Sequence, residues 1–139
     1  MKGLELCKSY YENIGKPELF RIFPEVMGRA AAGLSGQGSD CLGLDDEFSR
    51  DHDFGPGFIL WLTDADYEKF GAALQAAYDE LPKQYLGFER LPTHTGAQRV
   101  GVMRTSDFYR YYIGCPGVPD SLMRWVRIQE HFLATCTSG

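Results

Sequence analysis

Residues 30–63, AAAGLSGQGSDCLGLDDEFSRDHDFGPGFILWLT, decide how this chain reads. The small residues from Ala30 to Gly36 predict a strand running close to its neighbours, and Phe58 to Leu62 predict a second, apolar one. Between them stand Gly38-Ser39 and, after eleven residues, Asp51-His52-Asp53. Successive strand side chains point to opposite faces, so an extended Asp51 to Asp53 turns both carboxylates one way and His52 the other. Paired carboxylates repel unless a proton or cation relieves them. Magnesium is the natural relief, being a hard ion held by one or two carboxylates plus substrate phosphates. His52 is a poor magnesium ligand and is expected to pack behind the strand. Glycine at 38 lets the backbone approach a ligand, and successive N–H groups in a turn make an anion-binding concavity. A helix opening near Ser39 would add its positive end. Gly38 and Ser39 are therefore the candidate triphosphate contacts, and Asp51 and Asp53 the candidate metal ligands and catalytic acids.

Gly-Ser, a gap of about a dozen residues and Asp-x-Asp entering a strand resemble the signature of the DNA polymerase beta-like nucleotidyltransferase superfamily. More closely, residues 38–58, GSDCLGLDDEFSRDHDFGPGF, resemble a bacterial nucleotidyltransferase-like domain of unknown function. The opening MKGLELCKSYYENIGKP and the closing HFLATCTSG are similar to parts of that family too. The resemblance implies an α/β (α+β) fold, a nucleotidyltransferase-like mixed sheet flanked by helices. It also implies that the chain is a short member or the N-terminal part of a longer architecture. The implied reaction moves a nucleoside monophosphate from an NTP, with ATP as the expected donor, onto a hydroxyl of a small molecule, an RNA end or a protein. The alternative is a catalytically inactive module of the same fold that binds nucleotide or metal and regulates a partner.

Two-metal chemistry usually uses three carboxylates, and the superfamily carries the third on a later strand. The best later strand here, Gln98 to Thr105, has no acid, and Glu89 and Asp107 are the nearest substitutes. Arg50 and Arg104 are possible phosphate contacts by charge, with ion pairing the expected role of Arg104. Asp45, Asp46 and Glu47 read as a solvated loop or helix end.

The rest of the chain bounds these readings. At 139 residues it is one domain by size, spanning 1–139, without repeats or linker-like stretches. A net charge of −5 argues against a broad nucleic-acid face. No apolar run approaches the roughly 18 residues of a membrane span, and the N-terminus lacks a signal peptide's apolar core, so the expected location is cytoplasmic. Cys7, Cys41, Cys115 and Cys136 stand far apart, without zinc-site spacing, and read as reduced, mostly buried thiols.

Periodicity places the helices. Leu4, Cys7, Tyr11 and Ile14 predict one that Gly15 ends, and Pro17 starts a second that Pro24 closes. Thr63 or Asp64 caps a third bearing Tyr67, Phe70, Leu74, Tyr78 and Leu81, stopped by Pro82. Phe88 to Leu91 reads as a short strand. Ser106 is expected to cap a helix over 107–113. Asp120 is expected to cap a last one whose apolar stripe, Leu122, Trp125, Val126, Phe132 and Leu133, reads as a docking face.

Overall fold

The computed structural model describes residues 3–34, 55–90 and 100–128. They form a mixed sheet with helices on it, as expected. Strand β1 (Ala31–Gly33) pairs antiparallel with β2 (Ile59–Leu62), and β2 pairs in parallel with β5 (Gly101–Arg104). The register sets Gly33 opposite Ile59, and Ile59 opposite Gly101. The strand from Ala30 to Gly36 is thus shorter than expected, and β2 starts one residue after Phe58.

Alternation along β2 divides the interior. Leu60 and Leu62 face one side and join Tyr10, Leu19, Leu74, Tyr78 and Val102 in the main core. Ile59 and Trp61 face the other, where Phe108 and Met103 meet them. Helix α4 (Asp64–Asp79) covers the first side and α5 (Thr105–Ile113) the second. Each fully buried Leu or Ile contributes roughly 1.5–3 kcal/mol, so Ile59, Leu60 and Leu62 anchor both layers.

Helix α4 begins as the sequence predicts. Thr63 is extended, and its Oγ1 accepts from the Asp66 N–H at 3.2 Å. Its end differs: the helix stops at Asp79, before Pro82. Arg90 reaches back to the terminal carbonyls of Tyr78, Asp79 and Leu81, donating at 2.5, 3.2 and 3.1 Å, which gives donors to carbonyls that a helix end otherwise leaves to water. Arg90 follows a hairpin of β3 (Gln84–Tyr85) and β4 (Phe88–Glu89), of which the sequence reading recognised one strand.

The N-terminal region departs furthest from expectation. Gly15 does not end a helix: α1 (Gly3–Tyr10) continues through a π-helical turn, Tyr11–Gly15, into α2 (Lys16–Ile22). Gly15 and Lys16 both keep helical dihedrals. The break comes at Phe23 (φ −127°, ψ 59°), so α2 closes before Pro24 as expected, and Pro24 also opens the one-turn helix α3 (Pro24–Met27).

Two caps move as well. Helix α5 starts at Thr105, and the Ser106 hydroxyl donates to Asp64 Oδ1 at 2.6 Å instead of capping. In α6 (Leu122–Arg127) the cap is Ser121, whose Oγ accepts from the Arg124 N–H at 3.2 Å, while Asp120 pairs with Arg124. Leu122 and Val126 are 77% and 67% exposed, so among the described residues the stripe of α6 docks on nothing. Gln129, Phe132 and Leu133 lie outside the described residues.

Candidate functional site

Gly38, Ser39, Asp51 and Asp53 lie outside the described residues, as do Cys41, the acids at 45–47, Arg50 and His52. Their flanks are defined. Leu34 follows β1 into the stretch, and the buried run Gly55 to Phe58 leads from it into β2. Because Gly33 faces Ile59 across an antiparallel pair, the two flanks stand side by side at one end of the sheet. The N-terminal helix fastens to that end. The Cys7 thiol donates to the Gly55 carbonyl at 3.6 Å, and Phe58 packs edge-on against Tyr11 with ring centres 5.0 Å apart.

A cleft of about 440 Å³ opens beside these flanks, between α1, the π turn and the ends of β1 and β2. Leu4, Leu34 and Phe58 give it apolar walls, and Lys8, Tyr11 and Glu12 bring polar groups to it. Lys8 and Glu12 are exposed and carry no ion pair among the described residues. Burial is the main reason the Tyr11 phenol is pushed above its ordinary value, with the neighbouring Glu12 charge adding to it. Sequence reading missed these groups: Tyr11 counted as core, and nothing in the local spacing announces a π turn.

The opposite end of the parallel pair is charged and internally satisfied. Arg104 ends β5, pairs with Glu68, lies 3.9 Å from both Asp64 and Asp107, and stacks over the Tyr67 ring at 4.7 Å. This is the ion-pairing role expected for it. Asp107, one substitute for the missing acid, stands at this far end, 3.0 Å from Arg110. Glu89, the other, belongs to the hairpin, a separate two-stranded sheet. Strand β5 itself is Gly-Val-Met-Arg and carries no carboxylate. Among the described residues no group of three or more His, Cys, Asp or Glu is placed to hold a metal. Cys7 and Cys115 are buried, as expected, and Cys136 lies outside the described residues.

No family model matches this chain. No curated protein and no solved structure matches it either. Among the described residues, no helix is long and apolar enough to cross a membrane.

Proposed function

We propose that the chain is a magnesium-dependent nucleotidyltransferase, moving a nucleoside monophosphate from an NTP, with ATP as donor, to a hydroxyl acceptor. One observation carries the reading beyond residue spacing. The strands on either side of Gly38-Ser39 and Asp51-x-Asp53 are hydrogen-bonded neighbours whose ends meet at one edge, beside a cleft of ligand size. Flanks that stand together support a reading in which Gly38-Ser39 and Asp51-x-Asp53 serve one ligand.

In this reading Asp51 and Asp53 hold the ion, since carboxylate oxygens are the hard donors magnesium takes. Backbone N–H groups near Gly38 and the Ser39 hydroxyl orient the triphosphate. Bound magnesium supplies charge neutralisation at the transferring phosphoryl group. The acceptor oxygen bonds to the α-phosphorus, the bond to the β-phosphate oxygen breaks, pyrophosphate leaves, and a base takes the hydroxyl proton.

A second reading, a module that binds nucleotide without turning it over, is favoured by one observation: β5 lacks an acid beside β2. Calorimetric titration of ATP with magnesium and then with EDTA tests the shared part. Magnesium-dependent binding that Asp53→Ala abolishes, with the fold intact, is the expected result, and unchanged affinity in that variant refutes the site. Release of pyrophosphate from labelled ATP separates enzyme from module.

A further inference from the structure

Resting on the nucleotide reading above, we infer that the cleft between the N-terminal helix and the β1–β2 edge receives the base of the nucleotide. Its volume of about 440 Å³ lies within the roughly 300–1,000 Å³ of small-molecule sites. Leu4, Leu34 and Phe58 offer the apolar surface a flat heteroaromatic ring needs. A base also presents donors and acceptors along its edge, and the cleft has unspent partners for both.

Lys8 and Glu12 are four residues apart, in the order in which such helix pairs attract least, and neither is ion-paired among the described residues. A lysine ammonium donates only and a carboxylate accepts only, so together they address both kinds of group on a base edge. The Tyr11 hydroxyl, which does either, stands between them in sequence and lines the same cleft.

Chain length ties the cleft to the phosphate-binding residues. Gly38 is four residues beyond Leu34 and Asp53 five before Phe58, and Leu34 and Phe58 both line the cleft. In this inference the base enters the cleft and the phosphates extend toward the segment between those two walls.

The test measures the affinity of the full chain for MgATP and for magnesium tripolyphosphate, which has no base. The variants are Leu4→Trp, which fills the cleft, and the exposed changes Lys8→Met and Glu12→Gln. We expect MgATP to weaken about tenfold or more in Leu4→Trp and about threefold to tenfold in each rim variant, with tripolyphosphate affinity unchanged within about twofold. If MgATP binding survives both rim changes yet is lost in Asp53→Ala, the nucleotide reading stands and the cleft assignment falls. Equal weakening of both ligands also overturns it. If the unaltered chain binds MgATP in neither magnesium nor EDTA, the nucleotide reading itself fails.

Discussion

The Phe58 ring occupies the space that a β-carbon on Gly15 would need, its Cζ and Cε1 only 2.5 and 2.6 Å from that position. Tyr10, Tyr11 and Tyr78 surround the ring, with centroids 6.0, 5.0 and 4.9 Å away, so it has little room to retreat. Helix propensity alone favours Ala over Gly by about 1 kcal/mol. Overpacking runs the other way and costs about 1–3 kcal/mol. We expect Gly15→Ala to destabilise the protein by that order in urea unfolding. A stabilised variant would show that Gly15 and Phe58 are not in this contact.

Tyr78 is buried, and its phenolic oxygen accepts from the Phe58 N–H at 3.3 Å. Burial is the main reason its ionisation lies far above the ordinary value of 10.0. The folded protein therefore keeps this proton where the unfolded chain releases it, and stability falls as pH climbs past about 10. Tyr78→Phe should flatten that alkaline limb. At neutral pH it should cost about 1–3 kcal/mol for the amide left without its acceptor. Urea midpoints measured from pH 7 to 11 check both effects.

Acid should act through Asp66. Arg29 grips it through two hydrogen bonds of 2.9 and 3.0 Å, and this, with the Thr63 hydroxyl assisting, holds its carboxyl below the ordinary 3.8. Folded Asp66 stays ionised where unfolded Asp66 is protonated. Its contribution is complete above pH 3.8 and disappears as pH falls below that value. Asp66→Asn should lower the melting temperature at pH 7 and leave a shallower loss of stability between pH 5 and 2. An unchanged acid limb would count against the Arg29 contact.

Arg104 separates structural from functional basic residues. It is held by Glu68, Asp64, Asp107 and Tyr67 at the sheet end away from the Gly33–Ile59 pair. Replacing it with lysine breaks a planar, stacked arrangement. Arg104→Lys should lower thermal stability while MgATP affinity stays within about twofold. A larger loss of affinity would place the ligand at the wrong end of the sheet.

What was legible in the sequence was what local patterns encode. Thr63 before an apolar stripe marked the start of α4, and Leu74 and Tyr78 on that stripe are buried. The apolar run at 58–62 marked β2. What escaped depends on contacts made across the fold. The β3–β4 turn uses Leu86 and Gly87 at φ of 50° and 85°. Asn or Asp usually fills the first of these places, so Leu hid the hairpin. Arg90 reads as one more surface charge until the end of α4 is built beneath it. For the proposed site, spacing pointed to Gly38, Ser39, Asp51 and Asp53, all of which lie outside the described residues. The cleft beside their flanks came only from the way α1 crosses the strands.

The π turn between α1 and α2 also makes the N-terminal region a counting device. Tyr10 and Leu19 both enter the main core. In a regular helix each residue advances about 100°, which would leave these two, nine residues apart, on opposite sides. The wider turn holds about one residue more than an α turn and narrows that angle by about a quarter turn. Removing two residues between Tyr11 and Gly15 would exceed the one residue that the π turn absorbs and rotate α2 against α1 by about 100°. Leu19 would then swing off the core, or Tyr11 and Glu12 off the cleft. Substitutions on the exposed side of this helix are therefore tolerable where a change of length beyond that one residue is not.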